Sequence, residues 1–142
     1  MKEIVLIFSL LLLLCSCDLS TPEEANLGEI ENAFQAIVLA YNLDHIDDIM
    51  HYYDQEYLHN GDDIDDVRLD WEIRLNDYQE MEITDINIEL DGDRATVSFI
   101  RKFLSNGETQ QEYTEPDDNG DLSYWELGTN DWKIAGNGSN GW

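Results

Sequence analysis

His59 is the side chain in this sequence best suited to acid–base chemistry. It directly precedes a predicted tight turn at Asn60-Gly61, and a histidine titrates near neutral pH. At the mouth of a pocket it would act as an acid or a base, whereas a surface or hydrogen-bonded core histidine has no such role. Both interpretations stay open. His45 and His51 lie among acidic residues and have no third partner at metal-ligand spacing.

Large aromatic side chains provide a second set of candidates, for a small-molecule pocket. Such pockets are mostly apolar and aromatic, with a few polar groups. Aromatic residues at helical or alternating spacing also pack cores, so pocket wall and core packing are the two interpretations. The candidates are Tyr41, Tyr53, Tyr57, His59, Trp71, Phe99, Trp125 and Trp132.

An acidic segment near the C-terminus has the spacing of an EF-hand-like calcium loop, with its glycine at the sixth position. That loop needs helices on both sides to aim its ligands, and both flanks here have strand composition. A solvated hairpin turn is therefore the alternative, and no other metal or cofactor is predicted. The residues are Glu115, Asp117, Asn119, Gly120, Asp121, Ser123 and Glu126.

The N-terminus has the pattern of an export signal. Lys2 precedes an apolar run from Ile4 to Leu14, which is too short to span a bilayer but long enough for the core of a secretory signal. The following Leu14-Cys15-Ser16-Cys17 resembles a bacterial lipoprotein box, which implies cleavage after Ser16 and acylation of Cys17. An ordinary signal peptide that leaves Cys17 as a free thiol is the alternative.

The charge of the chain limits its partners. The formal net charge is −25 at pH 7, which repels nucleic-acid phosphates and anionic lipid headgroups. Nucleic-acid binding is therefore excluded, and a lipid anchor would be needed to hold the protein at the membrane of the cell envelope. The acidity suits a solvated surface, or a site for cations or basic partners. Cys17 would be the one cysteine after processing, so no intrachain disulfide is expected.

Three helices are predicted first. The initial helix runs from Pro22 to about Asn42, with Thr21 and Glu24 forming a capping box. A short second helix starts at an Asp44 cap and buries Ile46, Ile49 and Met50. A short strand then leads into a third helix, whose first turn is acidic and whose inner stripe is Ile64, Val67, Trp71, Leu75 and Tyr78.

Antiparallel strands follow from Met81. The apolar phase changes between Ile83 and Ile86, which predicts a bulge near Thr84-Asp85. Asp91-Gly92 and Asn106-Gly107 are hairpin turns. The last hairpin pairs 122–127 with 132–136 and should form an edge of the sheet. The inward face of the second strand is Ala95, Val97, Phe99, Arg101 and Phe103.

This order of elements, with the Tyr57-Leu58-His59-Asn60-Gly61 crossing and the final Trp132-Lys133-Ile134 strand, resembles the nuclear transport factor 2-like superfamily. That superfamily includes the SnoaL-like and ketosteroid-isomerase-like proteins. The resemblance implies an α+β cone, in which three helices pack on a curved antiparallel sheet around a pocket. The predicted organisation is a signal peptide over 1–17, a tether over 18–21, the domain over 22–138 and a tail over 139–142.

The resemblance implies little about activity, because function in this superfamily is divergent. An isomerase of this kind would hold a carboxylate base opposite a tyrosine and a protonated acid. No motif here selects such a pair, so no catalytic residue is assigned. We therefore expect a lipid-anchored envelope protein that binds a small molecule or a protein, with a homodimer through the sheet as a further possibility. An isomerase or dehydratase acting on a small apolar molecule and a calcium-binding protein are the alternatives.

The lipid assignment predicts that Cys17→Ser abolishes labelling by a fatty-acid analogue and releases the protein from the membrane fraction. Cys15→Ser is the matched control and should keep both properties, because Leu14 is a poor residue before an acceptor cysteine. Label retained by Cys17→Ser would refute the assignment.

Overall fold

A computed structural model describes residues 21–138, and the predicted acceptor Cys17 and the tail lie outside this range. Helix α1 spans Pro22–Asn42 and begins with the predicted capping box. Thr21 N donates to Glu24 Oε2 at 2.8 Å, and Glu24 N donates to Thr21 Oγ1 at 3.2 Å. Two otherwise unpaired amides of the first turn are thereby satisfied.

The predicted Asp44 cap of the second helix is wrong. Asp44 has a left-handed φ of 59° and belongs to the end of α1, where its N–H donates to Tyr41 O and the N–H of His45 donates to Ala40 O. This is the hydrogen-bond pattern of a Schellman motif, which needs a left-handed residue at this position. Helix α2 spans Ile46–Met50, and His45 precedes it. It therefore begins one residue later than an Asp44 cap would require.

A two-stranded ribbon connects α2 to the third helix. Strand β1, Leu58–His59, pairs with β2, Asp62–Asp63, across the predicted Asn60-Gly61 turn. Helix α3 then spans Ile64–Asp77, and the side chain of Asp63 caps it by accepting from the amides of Asp65 and Asp66. The acidic first turn thus supplies both a cap and negative charge near the positive end of the helix dipole.

The main sheet has five strands, β3 (Glu80–Asp91), β4 (Arg94–Ser105), β5 (Glu108–Glu115), β6 (Tyr124–Leu127) and β7 (Trp132–Ile134). Strand β4 pairs with β3 on one side and with both β5 and β6 on the other, and β7 pairs with β6. The pairing of β3 with β4 shifts register between Thr84 and Asn87. The predicted bulge is thus confirmed, and it bends the strands over the helices.

The last hairpin closes the fold, as predicted. Strand β7 ends the sheet order, but its outer edge is covered, because Asp54 N donates to Ile134 O and Ile134 N donates to Tyr52 O. Under the sheet, the Phe34 ring of α1 lies 4.9 Å from Phe99 and 5.5 Å from Trp125. The predicted α+β class, with three helices packed on a curved antiparallel sheet, is confirmed. Within residues 21–138, none of the helices combines the length and apolarity needed to cross a bilayer.

Trp132→Ala should lower the free energy of unfolding by roughly 3–5 kcal/mol, because it removes a large buried aromatic and leaves a cavity. Trp132 is 2% exposed, and its backbone N–H donates to Glu29 of α1 at 3.0 Å. Leu69→Ala, at a position on α3 that is 56% exposed, is the control and should cost about 0.5 kcal/mol or less. Urea unfolding of both variants measures the difference; equal midpoints would mean that Trp132 does not close the core.

Candidate functional site

Four charged side chains meet in the interior of the cone, and we call them the arginine–carboxylate cluster: Arg74, Arg101, Glu115 and Asp121. Arg101 Nη2 lies 2.6 Å from Glu115 Oε1 and 2.8 Å from Asp121 Oδ1. Arg74 Nη1 lies 2.8 Å from Asp121 Oδ2. Asp121 therefore bridges the two guanidinium groups, and the cluster alternates positive and negative charge.

The sheet and α3 place these charges together. Arg101 occupies an inward position of β4, because the strand alternates and its neighbours Phe99 and Phe103 face the same way. Glu115 ends β5 directly opposite Phe99. Arg74 reaches the cluster from the last turns of α3. Arg101 and the Glu115 side chain are fully buried, so these charges must neutralise each other within the protein.

Aromatic rings surround the two guanidinium groups. The guanidinium carbon of Arg101 lies 5.8 Å from the Trp71 ring centre, 5.6 Å from Phe103 and 5.3 Å from Tyr113. That of Arg74 lies 5.2 Å from Trp71. Ring faces carry partial negative charge and attract a cation at this distance. The rings thus stabilise the arginines and separate the cluster from water.

The ion pair between Asp121 and Arg74 favours the charged form of both side chains. Burial alone would raise the pKa of the Asp121 carboxyl, but the attraction of Arg101 and Arg74 outweighs it and holds that pKa well below its usual range. Burial alone would lower the pKa of the Arg74 guanidinium, but Asp121 raises it above its usual value. Asp121 is therefore an ionised carboxylate at neutral pH, paired with two arginines, and its basicity is low.

The segment with calcium-loop spacing is organised by this cluster. Glu115 Oε2 accepts from the amides of Asn119 and Gly120 at 3.0 and 2.5 Å. Two of the proposed ligands, Glu115 and Asp121, are thus turned inward onto arginines, while Asp117 is exposed. Glu126 lies on β6 and pairs with Arg94 at 3.3 Å. Among residues 21–138, no group of three or more His, Cys, Asp or Glu side chains is arranged to hold a metal.

His59 lies inside the fold and is 4% exposed. Its ring stacks between Tyr57 and Tyr124, with centroid distances of 6.4 and 5.7 Å. Nε2 lies 2.7 Å from Asn119 O and 3.0 Å from Asn60 Nδ2. A Cβ at Gly120 would lie 3.0 Å from the ring, so the chain closes tightly over the histidine. This geometry is that of a packed, hydrogen-bonded histidine.

The other pocket candidates are all buried, and they form two groups. One group borders the cluster: Trp71 Nε1 donates to Tyr53 Oη at 2.9 Å, Tyr57 Oη donates to Asp121 O at 3.5 Å, and Tyr41 Oη donates to Arg74 O at 2.7 Å. Burial raises the pKa of each of these phenols above its usual value, so they stay neutral. The second group, Phe99, Trp125 and Trp132, lies toward the other end of α1.

Grooves in the described part of the chain lie on its outside. They run between α1, α2 and β7, between α1 and β3, and beside the end of α3. Trp132 borders the first of them, and the other seven candidates border none of these grooves. The candidates therefore fill the interior around the cluster.

Arg74 and Arg101 were not recognised as site residues from the sequence. The available signal was Arg101 itself, a charged residue on the otherwise apolar inward face of β4. Such a residue requires a buried carboxylate. Spacing could not indicate which of the many acids supplies it, since Glu115 depends on the register of β5 against β4 and Asp121 reaches it from a loop.

Asp121→Asn should remove stability that depends on pH. A carboxyl whose pKa is lowered by folding stabilises the protein above its unfolded pKa of about 3.9, and this stability is lost as the pH falls toward the folded pKa. We expect the variant to be less stable by roughly 3–5 kcal/mol at pH 7, and the difference to shrink below about pH 4. Asp48→Asn, at an exposed carboxylate, is the control. Urea unfolding from pH 7 to 2 tests this; a difference that does not change with pH would contradict it.

No protein-family model matches the sequence, and no curated protein matches it. Solved structures do resemble the fold. A nuclear transport factor 2-like protein of unknown function from Shewanella oneidensis superposes with a TM-score of 0.58 at 20% identity, over 78% of this chain and 94% of that chain. A candidate dehydratase of the same fold family from Streptomyces avermitilis gives a TM-score of 0.56 at 14% identity, over 82% and 95%.

Bd1075 of Bdellovibrio bacteriovorus gives a TM-score of 0.60 at 13% identity, over 82% of this chain but 41% of that chain. The present chain thus spans less than half the length of Bd1075. At these identities the likeness shows the fold and not the activity. The order of elements, the bent sheet and these neighbours agree: the chain has a nuclear transport factor 2-like fold.

Proposed function

We propose that this chain is an exported, lipid-anchored protein of the cell envelope whose domain binds a partner protein on its outer surface and does not catalyse a reaction. The observation that carries the proposal is the arginine–carboxylate cluster, which occupies the interior of the cone together with its aromatic walls. The resemblance to this fold family had implied a pocket there. The charged side chains of the interior instead form ion pairs with each other.

Catalysis inside the cone would require a free acid or base. Among the described residues the buried carboxylates are Glu115 and Asp121, and both are paired with Arg101. The low pKa of Asp121 opposes its protonation, and the neighbouring phenols are neutral donors. His59 is enclosed by its own chain. The buried carboxylates are thus paired and the histidine is packed, which favours binding over catalysis.

A partner would therefore meet the outside of the domain. Entry of a small molecule into the cone would displace rings that contact each other, such as Phe34 and Phe99, or expose the charges of the cluster. Both changes cost free energy that a small ligand must recover through new contacts. The exterior offers grooves without this cost, which favours a protein or peptide partner.

The envelope location rests on the sequence. The step from Cys17 to Pro22 covers at most ~18 Å when fully extended, so acylation of Cys17 would keep the domain close to the membrane. The negative charge of the domain would keep its surface from lying on anionic lipids. The domain would then project from the bilayer and present its sides to other envelope proteins.

One comparison favours a second candidate function. The Streptomyces avermitilis neighbour is named as a candidate dehydratase, so a dehydratase or isomerase acting on a small apolar molecule in the cone is the alternative. The two proposals differ in whether the cone takes an apolar molecule.

Benzene distinguishes them, because it enters apolar cavities and stabilises the proteins that bind it. For the binding protein, saturating benzene should leave the thermal midpoint of the parent unchanged. Phe99→Ala is the positive control: Phe99 is 2% exposed, so its removal should open a cavity, and benzene should raise the midpoint of this variant by several degrees. A comparable rise in the parent would favour the enzyme.

A further inference from the structure

A continuous trough runs along the outer side of α1. Helix α1 forms one side of it, and α2 and β7 form the other. It consists of two adjoining grooves of about 270 and 420 Å³, which share Ala36, His51 and Tyr52 as lining residues. We call it the α1 trough. It extends from Glu29 to the helix cap Leu43, a rise of ~21 Å along α1, which matches about four turns of a second helix.

The α1 trough has a smooth apolar floor and an apolar rim. Ala33, Ala36 and Ala40 line it at helical spacing, so another backbone can approach α1 closely. Leu39 and Leu43 stand at its edge and are 60% and 54% exposed. Exposed leucines beside a groove indicate an interaction surface more strongly than scattered ones do.

The charge around the α1 trough selects the partner. Each lysine and arginine among residues 21–138 lies within 4.0 Å of a carboxylate. The chain nevertheless has a formal charge of −25, so the excess negative charge has no basic patch to offset it. Glu29, Asp48 and Asp131 line the trough itself, and its one lysine, Lys133, is already paired with Asp131 at 3.0 Å. A basic partner is attracted to this surface, and an acidic partner is repelled.

The form of the occupant follows from the fold. An added strand in the trough would need the outer edge of β7, the strand that borders it, but residues 52–54 already cover that edge. A helix fits a straight trough beside α1, with apolar side chains at positions i, i+3 or i+4, and i+7 on the floor. Its basic face would then meet Glu29, Asp48 and Asp131.

We propose that the α1 trough binds a cationic amphipathic helix of a partner protein. This inference rests on the proposed binding role and assigns that role a site and a class of partner. The electrostatic attraction speeds the encounter, and the apolar floor selects a helix with one apolar face over other basic segments.

The test uses the full chain in nanodiscs of neutral phosphatidylcholine. The probe is a synthetic helical peptide of lysine and leucine, fourteen residues long, which carries a photoreactive group on its apolar face. Crosslinking yield is followed against peptide concentration, and the sites are mapped by mass spectrometry. Because all variants share the same lipid, partition of the peptide into lipid affects them equally. We expect saturable crosslinks to α1 and α2.

Two double variants compare surfaces of similar exposure. Leu39→Ser with Leu43→Ser should raise the half-saturating concentration at least tenfold. Leu69→Ser with Ile73→Ser, at α3 positions that are 56% and 48% exposed, should change it less than twofold. Two control peptides complete the design. A shuffled peptide of the same composition, which has no apolar face, and a peptide with glutamate in place of lysine should both crosslink at least tenfold less.

Crosslinks spread over the whole surface, equal yields with the shuffled peptide, or equal losses in both double variants would overturn the trough as the site. Such a result leaves the benzene and fatty-acid measurements unaffected. Failure of the trough can therefore be distinguished from failure of the proposed function.

Discussion

A fully buried guanidinium group imposes the strongest constraint on this structure. Arg101 is 0% exposed, and a charge in such a place is tolerated only when it is paired and hydrogen-bonded. Glu115 and Asp121 provide the pairing. Because Glu115 ends β5 and Asp121 lies in the segment between β5 and β6, the constraint also fixes that segment. Glu115 orders it through the amides of Asn119 and Gly120, and Asp121 extends the constraint to Arg74 on α3. The cluster therefore joins the sheet, the loop and the third helix.

The same constraint limits the chemistry of the domain. This fold can enclose a pocket, but function depends on what a particular chain places there. Here the interior contains paired charges, neutral phenols and aromatic rings. The acidic residues that remain free lie on the outside, where they keep the protein soluble and favour basic partners. The proposed binding role therefore places the partner on the surface, at the helical side of the domain.

Much of the fold could be predicted, because its local signals agree with its tertiary structure. The capping box of α1, the hairpin turns and the change of apolar phase in β3 each have a local physical cause. The wrong prediction of an Asp44 cap for the second helix also has a local cause. An aspartate can cap a helix or adopt the left-handed conformation that ends one, and the end of α1 required the second role. The site was harder to predict. The inward position of Arg101 was visible in the sequence. Its partners are set by the register of β5 against β4 and by the path of the loop that follows β5, and the spacing of those acids resembles that of a calcium loop.

The central claim is that Arg101 and Glu115 act as one neutralised unit in the interior. A double-mutant cycle of Arg101→Met and Glu115→Gln, measured by urea unfolding at pH 7, tests it most directly, because glutamine keeps an oxygen for the amides of Asn119 and Gly120. Arg101→Met leaves the buried Glu115 without a cation, and Glu115→Gln leaves Arg101 with Asp121 as its remaining carboxylate partner. Each single change should cost roughly 3–5 kcal/mol. The double variant should cost less than the sum of the two by about 2 kcal/mol or more. Additive costs would contradict the claim, because the two charges would then contribute independently.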